Sequence, residues 1–285
     1  MTGSVVGSVV GLWRYPVKSM LGEELNASDV AERGLLGDRA YALVDASDGK
    51  VASAKNPRKW PRLFDFRAAL VDAPTPGAPL PSVRITLPDG TIVSNDRGDL
   101  DAILSRALER DVTLNAAEGS RRKAVQSASA YPWTPRVEEY WPDMEGLDYR
   151  DTVTDFDLPE GTFFDAAAVH LLTTATLERL RELYPGGRFE VRRFRPNIVV
   201  EAAGGARDFV QYAWVGRTLA IGEAVRLGVM KACGRCVMTT LPQGDLPKDS
   251  GILRAAAQHN RANVGVYASV LQGGRVRRGD AIRLE

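Results

Sequence analysis

Residues 218–240 read TLAIGEAVRLGVMKACGRCVMTT. Thr218 to Ile221 and Ala224 to Val229 are apolar runs joined at Gly222-Glu223, which predicts a β-hairpin. The second strand leads straight into Cys233-Gly234-Arg235-Cys236. Working outward, short strands and tight turns recur. Val5 to Arg14 opens the chain as a β-branched strand. Tyr41 to Asp45 precedes the turn Asp48-Gly49 and a second run from Val51. Val83 to Leu87 and Thr91 to Val93 flank Pro88-Asp89-Gly90. Phe189 to Arg193, Ile198 to Glu201, Val264 to Leu271 and Ala281 to Leu284 read as further strands. Such a pattern predicts barrels, not a parallel doubly wound sheet.

Three helices interrupt the strands. Asp99 reads as the cap of a helix with Leu100, Ile103, Leu104, Ala107 and Leu108 on one face. Thr174 reads as the cap of a second, with Leu177, Leu180 and Tyr184 aligned, stopping at Pro185-Gly186-Gly187. A third runs from about Ser250 to His259. Asp72 to Ser82 is Pro-rich and reads as a surface loop. From Gly119 to Pro159 no period is visible, and long unpatterned segments mark boundaries or functional loops. The expected fold is α+β and β-rich. An N-terminal β-barrel domain covers 1–118, an irregular connecting segment 119–146, and a second barrel with a few helices 147–285.

At 285 residues the chain exceeds the common size of one domain. Its formal net charge of +1 gives no overall field for nucleic acid or an anionic membrane, so any anion site must be local. Two cysteines do not make a secreted disulfide framework and fit a reducing cytoplasm. Met1 to Leu12 is apolar but broken by Gly3, Gly7 and Gly11 and lacks a basic leader, so it reads as a strand and not a signal peptide. No run approaches the roughly 20 apolar residues of a membrane span. A cytoplasmic protein with no membrane and no nucleic-acid partner is expected.

Cys233-Gly234-Arg235-Cys236 admits four readings. Zinc would need His170 and His259 as well, at a spacing that fits no usual finger or ribbon. A redox dithiol should open a helix, whereas Val237-Met238-Thr239-Thr240 reads as extended. Two buried small hydrophobes are a third reading. The fourth is one thiolate on a soft metal centre, its ionised form favoured by Arg235.

Other groups suit an anion. Tyr15-Pro16-Val17-Lys18-Ser19 ends a strand on a point charge and a hydroxyl. Gly37-Asp38-Arg39 enters the strand at Tyr41 with a guanidinium fork. Phe194-Arg195-Pro196-Asn197, read as lying between two strands, has its backbone fixed by Pro196. Thr173 and Thr174 precede a helix whose N-terminus can receive an anion, although capping alone explains Thr174. Lys55, Arg58 and Lys59 read as a solvated basic loop, His170 as a satisfied core histidine, and His259 as a helix-end residue favoured by the dipole. Asp165 reads equally as a turn residue or a polar group near a site.

The segments Phe194-Arg195-Pro196-Asn197-Ile198 and Cys233-Gly234-Arg235-Cys236-Val237-Met238-Thr239-Thr240, with Tyr15 to Ser19 and Gly37 to Arg39, resemble the MOSC family (molybdenum cofactor sulfurase C-terminal domain proteins). Within it the chain looks closest to the stand-alone two-domain reductases of the amidoxime-reducing kind. The resemblance implies a molybdenum–molybdopterin cofactor between the two domains, with Cys236 as catalytic residue and metal ligand. It implies that Lys18, Ser19, Arg39, Thr173, Arg195 and Asn197 hold the pterin and its phosphate, with Arg235 beside them. The implied substrate is a small N-hydroxylated compound such as a hydroxylamine or amidoxime. An iron–sulfur cluster needs about four cysteines, so a separate electron donor is expected, a protein or a small-molecule reductant. A rival implication is a sulfur carrier or cofactor-handling protein using a persulfide on Cys236 or Cys233. A third is a binding protein that has lost its cofactor.

Overall fold

The computed structural model describes residues 3–117, 134–147 and 150–285. Part of the expected connecting segment, with the end of the expected first domain at residue 118, lies outside them. Seven strands close into a barrel in the order Ser4–Arg14, Ile198–Ala202, Val169–Thr173, Asn263–Gln272, Val225–Gly234, Thr218–Ile221, Ala281–Leu284 and back to the first. One pair is parallel, Val169–Thr173 with Ile198–Ala202. The opening hairpin of the sequence reading is present, with Ile221 opposite Val225.

Ser4–Arg14 gives one edge to each neighbour and closes the barrel. Val9 pairs with Val200, and Ser4 with Leu284. Sequence order places this strand with the N-terminal part, but it completes the C-terminal barrel. Without it the strands 198–202 and 281–284 would end in unpaired edges, which folded proteins avoid. The barrel interior is filled by inward residues including Leu12, Val169, Leu171, Val200, Leu227, Val266 and Ile282.

The N-terminal part is made of smaller sheets. Arg67–Leu70, Val83–Thr86 and Ile92–Ser94 form one, and Tyr41–Asp45 pairs with Val112–Ala116. They enclose a core of Met20, Leu43, Phe64, Phe66, Ile85 and Leu104. Cys236, Met238 and Leu241 belong to this same core. The segment after the cysteine motif therefore joins the two parts.

Four α-helices are present among the described residues. Leu100–Leu108 follows Asp99, whose carboxylate binds Arg97 and does not cap the helix. Gly251–Asn260 matches its expected place within a residue. The second expected helix is Thr174–Leu183, but its cap is Thr173, not Thr174. The Thr173 hydroxyl accepts from the Thr176 amide, while Thr174 already lies in the helix.

Further readings are corrected. Phe189 to Arg193 is not a strand, because Val191–Phe194 forms a helical turn. Tertiary contacts override the alternating pattern there, with Arg193 buried and bonded to four carbonyls. Arg195-Pro196-Asn197 thus follows a helix, not a strand. Val237–Thr240 is a 3₁₀ turn opened by Cys236, not extended chain. Its Thr239 and Thr240 hydroxyls satisfy the carbonyls of Cys236 and Val237. The segment expected to be irregular contains Arg136–Trp141, paired with Thr152–Asp157. Of Arg136–Trp141, only Val137 and Glu139 are buried, and just one of them is apolar, too weak a pattern to read. The run from Val51 makes only isolated bridges, to Val44 and Val137.

Candidate active site

Three loops converge where the two parts meet. Lys18 and Ser19 follow the first barrel strand, and the Lys18 amide is tied to the Tyr41 carbonyl at 2.8 Å. Arg39 enters the strand at Tyr41, its amide tied to the Tyr15 carbonyl at 2.8 Å. Arg195 ends the helical turn 191–194. Ser19, Arg39 and Arg195 all hold left-handed backbone, with φ of 62°, 46° and 52°. Non-glycine residues rarely adopt this conformation, and it gathers at functional sites.

Lys18, Ser19, Arg39, Arg195, Asn197 and Arg235 line one cavity, together with Asp165, His170, Met238 and Tyr267. It measures about 60 Å³, enough for several ordered waters or one phosphate-sized anion. Asp38 and Arg39 also line a wider cleft of about 410 Å³ that runs along residues 31–40. Two expected members are absent from the cavity lining. The Thr173 hydroxyl is fully buried and spent on Thr176 and Gln211. Cys236 sits beside the cavity, facing Lys55 at 3.8 Å.

The wall is a buried charge network. Lys18 donates to Asp165 at 2.5 Å and to the Phe163 carbonyl at 2.9 Å. Asp38 accepts from Arg39, from Asn197 at 2.9 Å and from the Tyr15 amide at 2.8 Å. Arg39 and Arg195 stand 4.6 and 4.2 Å from the centre of the Tyr15 ring. Lys55 donates to Glu139 at 2.6 Å and lies 3.9 Å from Asp165. Five cations, Lys18, Arg39, Lys55, Arg195 and Arg235, thus face three carboxylates, Asp38, Glu139 and Asp165.

Burial weighs against all five cations, but for Arg39, Lys55 and Arg235 the nearby anionic groups, Asp38, Cys236 and Cys233 first, outweigh it and raise them. Arg195 and Lys18 lack compensation on that scale. Burial, reinforced by Arg39, pushes Arg195 down to about 10. Burial also lowers Lys18 against the pull of Asp165. Burial would raise Asp165, yet Lys18, Lys55 and Arg39 hold it well below the usual carboxylate range. Cations that are crowded and desolvated favour an incoming anion.

The two cysteines differ. Cys233 is fully buried and accepts from Arg235 Nη1 at 2.8 Å. Burial would raise its thiol, but Arg235, then His170 and Tyr267, bring it down to about 6. Arg235 therefore serves Cys233, whereas the sequence reading left open which sulfur it assists. Burial pushes the Cys236 thiol up to about 11, with Lys55 opposing and Glu139 adding. Lys55, read as part of a solvated loop, is in fact the cation beside Cys236. His170 is satisfied as expected, Nε2 lying 3.1 Å from the Val264 carbonyl, and it also lines the cavity.

The model of the MOSC domain matches residues 159–283, and that of the MOSC N-terminal beta barrel domain matches residues 6–117. The chain belongs to the MOSC family. This MOSC protein is 27% identical over 247 residues to mitochondrial amidoxime reducing component 2 of Macaca fascicularis, covering 83% of this chain and 67% of that protein. Component 2 of Homo sapiens gives the same values. Component 1 of Mus musculus is 23% identical over 262 residues, covering 83% and 66%. The chain thus spans about two thirds of these relatives' length. The solved structure of YUAD protein from Bacillus subtilis covers 98% of this chain and 94% of that one, at 11% identity and a TM-score of 0.47. No helix of the described residues is long and apolar enough to cross a membrane.

Proposed function

We propose that this MOSC protein binds a molybdenum–molybdopterin cofactor and uses it to reduce small N-hydroxylated compounds. The observation that carries the reading is the buried, cation-rich cavity where the two parts meet. The residues fit such a group. Arg235 Nε is buried with no hydrogen-bond partner, an unmet donor of the kind that an anion satisfies. Arg39 and Arg195 add guanidinium donors beside it, and the cleft along 31–40 gives room outside the enclosed space.

Lys18, Ser19, Arg39, Arg195 and Arg235 would hold the phosphate and pterin. Asn197 and Asp38 would fix Arg39 in place, since Asp38 bridges the two. Cys236 would be the metal ligand, and a soft metal deprotonates a coordinating thiol despite its raised pKa. Lys55 would hold that sulfur's negative charge. When bound, the cofactor supplies two-electron chemistry: substrate, two electrons and two protons give the amine or amidine and water. Asp165 would orient Lys18 at the wall through their ion pair.

The two electrons would come from a separate donor, a protein or a small-molecule reductant. The relatives named amidoxime reducing components support this substrate class. We place the protein in the cytoplasm, with no membrane or nucleic-acid partner. A second reading, sulfur carriage through a persulfide, is favoured by the low pKa of the Cys233 thiol. The full burial of that sulfur opposes it.

The test is molybdenum content by mass spectrometry, comparing wild type and Cys236→Ala from a host that makes molybdopterin. Near-stoichiometric metal in wild type and its loss in the variant are expected, followed by turnover of a hydroxylamine with an artificial donor. Wild type without molybdenum defeats the cofactor reading. Metal without turnover points to cofactor handling.

A further inference from the structure

Arg193 is fully buried, and among the described residues no carboxylate pairs with it. All its donors go to backbone carbonyls. Nε donates to Arg188 at 2.9 Å, Nη1 to Thr239 and Leu241 at 3.2 Å each, and Nη2 to Pro247 at 2.8 Å. A buried cation with no carboxylate in contact is costly, and the more distant pull of Asp249 and Glu190 does not offset its burial, so packing alone gives it no advantage over an apolar side chain. What it gains is geometric. Three of the four carbonyls lie on the strip just after Cys236, and Cys236 itself opens the turn 237–240.

The same short run grips the motif from its other end. Arg235 Nη2 donates to the Phe194 carbonyl at 3.0 Å. The next residue, Arg195, donates to the Met20 carbonyl at 2.7 Å, beside Lys18 and Ser19. Residues 193–195 thus tie the strip after Cys236, Arg235 and the loop at Met20 to one another through guanidinium-to-carbonyl bonds, which are directional and roughly twice as strong as neutral ones. The Arg195 carbonyl also accepts from Arg39 at 3.4 Å.

We infer that Arg193 is a positioning residue that fixes Cys236 and the turn 237–240, with Leu241, against Arg195. It touches neither cavity nor sulfur and acts through the backbone. Only one of its consequences, metal retention, rests on the proposed cofactor.

The test compares the full-length, metal-free protein with Arg193→Met, which keeps length without donors, and with Arg193→Lys, which keeps charge with a single donor head. Leu104→Ala, in the N-terminal core, supplies a control of comparable destabilisation. The rate of Cys236 alkylation by iodoacetamide is read by peptide mass spectrometry. Arg193→Met should raise it roughly tenfold or more over the control, the factor expected from one lost charge-assisted bond. Arg193→Lys should fall between. Molybdenum content in a cofactor-competent host should drop in the same order. Alkylation in both Arg193 variants within about twofold of the control overturns the inference. If Arg193→Met does not fold, Arg193→Lys decides by the same comparison. If wild type holds no molybdenum, the proposed function fails while the alkylation result still judges Arg193.

Discussion

Cys233 and Cys236 stand three positions apart in opposite surroundings. Cys233 is the sulfur partner of Arg235, and Cys236 faces Lys55 across 3.8 Å. Cys233→Ala removes one member of a buried pair and leaves the guanidinium uncompensated. Urea unfolding should show a loss of about 3–5 kcal/mol, with molybdenum still bound. A variant as stable as wild type, or one devoid of metal, contradicts this. Most of the cavity was legible in the residues, since Lys18, Ser19, Arg39, Arg195, Asn197 and Arg235 do meet. Lys55 was not, because its burial depends on Glu139, 84 positions away on a strand without a clear pattern. Thr173 was legible only as a polar residue before a helix. Its role as cap emerges from where the helix begins.

Among the elements, strand Asn263–Gln272 carries a tightly constrained position. Gly265 lies at φ +88°, and a Cβ there would sit 2.2 Å from His170 Nε2 and 2.5 Å from the Leu171 carbonyl. The carbonyl belongs to the paired strand and cannot move aside, and His170 lines the cavity. Gly265→Ala should therefore cost more than about 2 kcal/mol by thermal or urea unfolding. It should also weaken retention of any anion in the cavity, measured with inorganic phosphate. An unperturbed melting curve rules this out. Strands whose apolar residues face a barrel interior, such as 218–221 and 281–284, declared themselves by pattern. The helical turn 191–194 did not, since distant carbonyls decide its conformation.

At the level of the molecule, the first strand is shared property. A chain beginning at Tyr15 lacks Ser4–Arg14 and leaves the strands 198–202 and 281–284 with open edges. We expect this truncated chain to associate or precipitate, as read by light scattering beside size-exclusion chromatography. A stable monomer with the wild-type melting temperature refutes it. The β-rich class and the barrel were readable from strand count and turn chemistry. The partners of the first strand were not, because pairing across almost the whole chain leaves no local signature.

The pairing of Ser4 with Leu284 also bears on how the protein comes into being. A ribosome adds roughly 5–20 residues each second, so the opening strand waits for tens of seconds before residues 281–284 exist. Throughout that interval a β-branched segment lacks at least one of its two barrel neighbours. Rapid local structure cannot shelter it, since its contacts are among the most non-local in the chain, the kind that slow folding. Gly7 and Gly11 punctuate this run, and glycine weakens strand propensity. The opening segment is thereby a poor template for premature pairing during synthesis, yet serviceable once the barrel is ready to receive it.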